Sequence, residues 1–155
     1  MITDFDIKTT CCFTGHRVLR KDFDLKLLES VVNDAINKGY KTFLSGMANG
    51  FDRVCAALLT EIKKEKKIEF IACVPCKEQD KFFTEKQKEE YKYFLEKADD
   101  VVYLSDEYYN GCMQVRNRYM VDNSSLVIAY SKTDFGGTHY TVKYAEKQKK
   151  QIIYI

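Results

Sequence analysis

Apolar residues in this chain fall into short continuous runs, separated by segments in which they recur every three or four positions. Thr10-Cys11-Cys12-Phe13-Thr14, Thr42-Phe43-Leu44, Ile68–Val74, Val101–Leu104, Leu126–Tyr130 and Ile152–Ile155 are runs of the strand type. Several are apolar at every position rather than at alternate ones. Between the first two, Leu25, Leu28, Val31, Val32, Ala35 and Ile36 keep helical spacing, with Asp22 or Asp24 to start the helix and Gly39 to close it. Further helices are predicted from Asp52, over Thr84–Lys97, over Cys112–Asn123 and over Thr138–Lys150. Pro75 ends the third strand, and Lys63–Lys67 is a solvated run. The first nine residues are a lead-in or an edge strand, and the pattern leaves both open.

Strand and helix alternate throughout, and continuously apolar strands belong to sheets covered on both faces. The right-handed crossover rule then predicts an α/β fold: a three-layer, doubly wound, mostly parallel sheet in one domain over residues 1–155. In such a sheet ligands bind outside the carboxyl ends of the strands. Three of those ends carry glycine beside small or polar residues: Thr14-Gly15-His16-Arg17, Ser45-Gly46-Met47-Ala48-Asn49-Gly50, and Phe135-Gly136-Gly137-Thr138.

The chain is organised around the second of these. Lys41–Leu59 reads as strand, glycine-bracketed loop and helix, a geometry that aims unpaired N–H groups and a positive dipole end at an anion. Gly46 and Gly50 would let the backbone approach a ligand closely, and Asp52 could cap the helix. The loop matches neither G-x-G-x-x-G nor G-x-x-x-x-G-K-[ST], so an ordinary turn without a ligand stays open.

In the first loop Arg17 can clamp a phosphate, with Thr14 and Gly15 adding donors; His16 is one of two histidines. In the fourth predicted helix Met113, Arg116, Asn117 and Met120 share one face. An Arg on an inward stripe needs an anionic partner, either a ligand phosphate or one of Asp52, Asp106, Asp122 and Asp134. Arg118 falls on another face. Gly136-Gly137-Thr138-His139 offers a second anion site, with His139 as a possible base.

Composition narrows the partners. With 25 basic and 23 acidic side chains the net charge is +2, which gives no push toward nucleic acid or membrane. No apolar run approaches the ~20 residues of a membrane span, and the start MITDFDIKTT lacks the order of a signal peptide. A cytoplasmic protein is expected, its six cysteines present as thiols packed as small hydrophobes. Cys73-Val74-Pro75-Cys76 has redox or zinc spacing, but Cys73 sits in a strand pattern and no second ligand pair accompanies it. No metal and no cofactor are expected.

Taken together, Cys12-Phe13-Thr14-Gly15-His16-Arg17, Ser45-Gly46-Met47-Ala48-x-Gly50-x-Asp52, Gly111-Cys112-Met113-Gln114-x-Arg116-Asn117-Arg118-Tyr119-Met120-Val121-Asp122 and Gly136-Gly137-Thr138 resemble the SLOG superfamily. Within it they are most similar to the YpsA-like branch of small bacterial and phage proteins, from about Cys11 to the C-terminus. The superfamily also holds the DNA-processing protein DprA and the lonely-guy phosphoribohydrolases. The resemblance implies a Rossmann-like fold with a nucleotide-type pocket at the glycine loops. The lonely-guy helix motif Met-x-x-Arg-Lys-x-x-Met is similar to Met113-x-x-Arg116-Asn117-x-x-Met120, which implies a phosphoribose role for Arg116. Its loop Gly-Gly-x-Gly-Thr-x-x-Glu matches only Gly136, Gly137 and Thr138; Thr141 stands where the catalytic glutamate would fall.

The leading expectation is therefore a binding protein for a nucleotide or nucleotide derivative. It would hold the ligand with Thr14, Gly15, His16, Arg17, Ser45, Gly46, Gly50, Asp52, Arg116, Asn117, Gly136, Gly137 and Thr138. The alternative is an enzyme cleaving the N-glycosidic bond of a nucleotide, with Asp52 or Asp106 as the carboxylate. Single-stranded DNA binding is disfavoured by the balanced charge. A homodimer is plausible because relatives associate through helices.

Overall fold

The computed structural model describes residues 5–155. Its elements run β1 (Thr10–Gly15), α1 (Leu25–Asn37), β2 (Thr42–Ser45), α2 (Phe51–Ile62), β3 (Glu69–Val74), α3 (Glu85–Lys97), β4 (Asp100–Tyr103), α4 (Cys112–Asp122), β5 (Leu126–Tyr130), α5 (Gly137–Lys147) and β6 (Gln151–Tyr154). All five strand pairings are parallel, in the order β4-β3-β2-β1-β5-β6. This is the three-layer Rossmann-like sheet that the alternating pattern predicts. In the lead-in, Ile7–Thr9 forms a 3-10 turn capped by Asp6, so the described part is no edge strand; residues 1–4 lie outside the described residues.

The helix boundaries follow local chemistry. Asp24, rather than Asp22, caps α1 by accepting from the Leu27 N–H, and Gly39 follows the helix at φ +106°. Thr84 and Gln87 close a reciprocal capping box on α3.

Strand residues alternate between two cores, as the two-residue period requires. Phe13, Phe43, Phe70, Ile128 and Tyr130 pack with Leu28 and Val32 of α1, Leu59 of α2 and Tyr91 of α3. Cys12, Leu44, Ile71, Cys73 and Val127 face Met120 and Val121 of α4 and Ala145 of α5. Three helices therefore cover one face and two the other.

That division places the site. From β1 the chain winds outward through β2 and β3 to β4; α4 then carries it back across the other face to β5, on β1's free side. The strand order thus switches direction between β1 and β5, where Gly15 pairs with Tyr130. A crevice opens there because the loops after β1 and β5 diverge to opposite faces.

Candidate functional site

Ring contacts around Tyr130 and two hydrogen bonds hold the loop after β1 in place. Tyr130, at the end of β5, is fully buried, stacks on Phe51 at 5.7 Å and meets the edges of Phe23 and His16 at 5.2 and 5.5 Å. Its hydroxyl accepts the Arg20 N–H at 3.0 Å. His16 Nε2 accepts the Lys132 N–H at 2.8 Å, which clips this loop to the one after β5. Burial and the neighbouring Arg20 and Lys132 charges hold the His16 pKa below its ordinary value, in keeping with a neutral ring that must present a lone pair. Gly15 has no room for a side chain, since a Cβ would lie 2.3 Å from the Phe51 ring.

The loop after β2 is occupied by protein. Met47 is buried with φ +61°, its N–H donating to Ser45 Oγ and its carbonyl accepting from Arg53 Nη2. Arg53 also donates to Asn49 Oδ1 and to the Gln87 carbonyl, and its guanidinium lies 5.6 Å from both the Phe83 and Tyr91 rings. These contacts tie the loop to α3 and sustain the strained Met47 backbone. The Gly46 carbonyl accepts from Arg116 Nη1 and from Gln79 Nε2. At Gly50, φ is +83° and a Cβ would lie 2.2 Å from the Arg17 carbonyl oxygen; the Phe51 N–H donates to the His16 carbonyl. The close approach that these glycines permit is therefore to other parts of the chain. Ser45 likewise donates to the Asp52 carbonyl.

Asp52 is the second residue of α2, and Gly50 is the cap position, so Asp52 does not cap the helix. Its buried carboxylate instead accepts the Ala48 N–H at 3.3 Å. Burial raises its pKa above the ordinary carboxylate value, and the charge of Arg116, the Ala48 N–H and Arg17 oppose that rise. Arg116 is buried as the inward stripe predicts. Its Nη1 donates to the Gly46 and Cys73 carbonyls, and Nε to Asn117 Oδ1 at 2.8 Å. A Cβ on Gly46 would sit 2.8 Å from the Arg116 Cζ and 2.9 Å from Asp52 Oδ2, so only glycine leaves room for both groups. Burial lowers the Arg116 pKa and the Asp52 charge raises it again. Arg118 is exposed, as its position on the helix implies.

The loop after β5 has a different character. A Cβ on Gly136 or Gly137 would meet nothing within 4 Å, and no side chain caps α5. The first N–H groups of that helix are thus open to a ligand. Beside them the Phe135 ring is 68% exposed. Thr141, standing in place of the lonely-guy glutamate, returns its hydroxyl to the Gly137 carbonyl at 2.8 Å.

Between these loops lies a cavity of about 420 Å³. Thr14, Gly15, His16, Arg17, Asp52, Arg116, Asn117, Gly136, Gly137 and Thr138, ten of the residues expected from sequence, line it together. Ala48, Met113, Gln114, Thr133 and Phe135 also line it and were not anticipated as site residues. Phe135 had a readable signal, an aromatic beside a glycine pair at a strand end. Ser45, Gly46 and Gly50 do not reach the cavity wall, because they are spent on Asp52, Arg116 and the Arg17 backbone. Asp106 does not reach it either: its exposed carboxylate pairs with Lys77 at 3.0 Å. His139 is half-buried beside Tyr140 and is not on the wall. Arg17 is exposed and, among the described residues, makes no side-chain hydrogen bond or ion pair, so its guanidinium is free to meet an anion.

All six cysteines are buried free thiols. Burial pushes the Cys12 thiol up to about 12 and the Cys73 thiol higher still, so neither supplies a thiolate for redox chemistry. No described helix is long and apolar enough to cross a membrane.

Known proteins share this architecture. DNA processing protein A (DprA) of Streptococcus pneumoniae superposes with a TM-score of 0.70 over 94% of this chain, at 18% identity. The Helicobacter pylori DprA, whose structure is described for its single-stranded DNA binding mode, gives 0.67 over 94% at 18% identity. The chain spans 49% and 64% of those two proteins, so this likeness is one of fold. The uncharacterised SPbeta prophage-derived protein YoqJ of Bacillus subtilis (strain 168) is 33% identical over 138 residues, 79% of either chain. The model of the YspA SLOG family matches residues 19–155, beginning just after the Thr14–Arg17 loop and taking in the other three motifs; this chain belongs to that family.

Proposed function

We propose that this protein binds a nucleotide or nucleotide derivative in the cavity between the loops after β1 and β5, as a sensor, sequestering protein or regulatory module. The observation that carries the reading is the pairing of an unpartnered Arg17 guanidinium with the open, uncapped start of α5 across one 420 Å³ cavity. That volume lies within the range of small-molecule sites, roughly 300–1,000 Å³. A phosphate accepts from the Gly137 and Thr138 N–H groups and from Arg17, while Phe135 offers a ring face to a base. Buried Arg116 contributes positive potential from behind, its Nη1 and Nε donors being engaged by Gly46, Cys73 and Asn117, while Nη2 meets, among the described residues, only the Met113 sulfur at 3.8 Å.

Thermal melting with a panel of nucleoside monophosphates tests this. A ligand at 100 times its Kd stabilises by ~2.7 kcal/mol, a readily visible shift. Arg17→Ala, at an exposed position, leaves the unliganded melting temperature unchanged and removes most of the ligand-induced rise. If the variant keeps the full rise, Arg17 does not hold the ligand and the reading is wrong.

One observation favours a second reading, cleavage of the N-glycosidic bond. Asp52 is the single carboxylate among the described residues lining the cavity, and its burial favours holding a proton, as a general acid must. Release of free base from the same nucleotide panel, lost in Asp52→Asn, would establish it. Single-stranded DNA binding, described for H. pylori DprA, has less support here, because basic and acidic side chains number 25 and 23.

A further inference from the structure

A second hollow of about 230 Å³ adjoins the main cavity, and Arg17, Ala48 and Met113 line both. The two are therefore lobes of one depression, with the free Arg17 guanidinium at their junction. The second lobe is completed by Asn49, Gln79, Phe82 and Phe83. Gln79 is committed to the protein: its amide donates to the Gly46 carbonyl and accepts from the Tyr91 hydroxyl, which makes it a fixed floor. Asn49 uses its oxygen on Arg53, and its amide nitrogen has no partner among the described residues.

Phe82 is the unexplained residue. Its ring is 91% exposed, more than any other large apolar side chain among the described residues, although Phe83 beside it is half-buried in the core. Lys81 Nζ stands 5.6 Å from the ring centroid. An exposed aromatic face, an uncommitted amide donor and two nearby cations match what a nucleobase attached to a phosphate requires: a surface to stack on, a donor for a ring edge and positive charge. The main lobe repeats the arrangement with Phe135 on the other side of Arg17.

We propose that the second lobe is a base-binding subsite, and that the depression takes a small ligand with two nucleosides joined through phosphate. The phosphate sits at Arg17, one base against Phe135 and the other against Phe82. This rests on the nucleotide reading of the main lobe and extends it to a ligand class longer than a mononucleotide.

Calorimetric titration of wild type and Phe82→Ala with four probes tests the proposal: AMP, adenylyl-(3′→5′)-adenosine, the pyrophosphate-joined diadenosine, and a twelve-residue oligo(dA). Phe82 touches no core, so the variant folds, and a melting curve checks that. At least one two-base probe binds wild type about tenfold more tightly than AMP, the gain expected of one base–ring stack. Phe82→Ala removes that gain and leaves AMP affinity unchanged. Equal affinity of AMP and both two-base probes overturns the second subsite while leaving the first intact, as does a Phe82→Ala effect equal on all ligands. Tighter binding of oligo(dA) than of either two-base probe overturns it in favour of a single-strand track. Failure of AMP and both two-base probes to bind at all overturns the nucleotide reading itself, and this inference with it.

Discussion

The loops after β2 and β5 each carry two glycines at the start of a helix, yet they do opposite things. Around Gly46 and Gly50 the space that a side chain would fill holds the Arg116 guanidinium, the Asp52 carboxylate and the Arg17 backbone. Around Gly136 and Gly137 the same space is empty. The first loop is internal scaffolding: it seats the buried Arg116 and Asp52 side chains and presses α2 against the loop after β1. The second is open and borders the cavity. A glycine pair at a strand end therefore signals a close approach without saying what approaches.

This contrast can be broken most sharply at the glycines themselves. Gly50→Ala forces a Cβ into the Arg17 carbonyl at an already positive φ, and destabilises by about 4 kcal/mol. Denaturant midpoints measure it; a loss under about 1 kcal/mol would mean that the two loops part easily. Next comes Arg116→Met, which strips two donors from the Gly46 and Cys73 carbonyls and leaves Asp52 buried without its countercharge. About 3 kcal/mol is lost. The loss shrinks as pH falls through the Asp52 pKa, which burial raises and which rises further once the Arg116 charge is gone, because a protonated Asp52 needs no countercharge. Gly137→Ala is the counterpart in the open loop. Its stability stays within about 1 kcal/mol of wild type, since alanine suits a helix better than glycine. Nucleotide affinity falls roughly tenfold because the new methyl stands where a phosphate would approach. An unchanged affinity would move the ligand away from α5.

The smallest effect sharpens how the two cavity loops are joined. The folded-state pKa of His16 lies below the ordinary value of 6.5, so its contribution to stability is present above pH 6.5. It is lost as pH falls below 6.5 through the folded-state value, when protonation costs the Lys132 N–H its acceptor. Wild type thus becomes less stable between pH 7.5 and 5.5, and His16→Asn flattens that slope. An equal slope in both proteins would mean that the clip contributes nothing.

Much of the fold was legible because each element carries its own local signal. Leu126–Tyr130 and Cys112–Asp122 match the patterned segments almost residue for residue, and Asp24, Thr84 and Gly39 mark helix ends through bonds or backbone geometry within a few residues. The site was legible in a coarser way. Arg17, Arg116 and Gly136–Thr138 could be assigned to one sheet edge from strand ends and helix spacing alone. Phe82 was not legible, because an exposed aromatic beside Lys81 and Phe83 has no sequence pattern that separates it from a core one, whereas Phe135 carried a signal in its place beside a glycine pair at a strand end. Asp106, just past β4, looked as able to supply a carboxylate as Asp52 on α2, and only the fold shows that Asp52 is buried on the cavity wall while Asp106 is exposed and paired with Lys77.

By itself the sequence determined the alternation of strands and helices, the parallel sheet they form and the family to which the chain belongs. Those follow from periodicity, capping chemistry and short motifs, all of which act between near neighbours. Tertiary structure alone decided which glycine loop is filled and which is open, and that Asp52 and Arg116 share the space beside Gly46. It also joined the Arg17 loop to two lobes rather than one. These contacts link residues as far apart as Gly46 and Arg116, and they exist only because the sheet order reverses at β1 and carries α4 back across it.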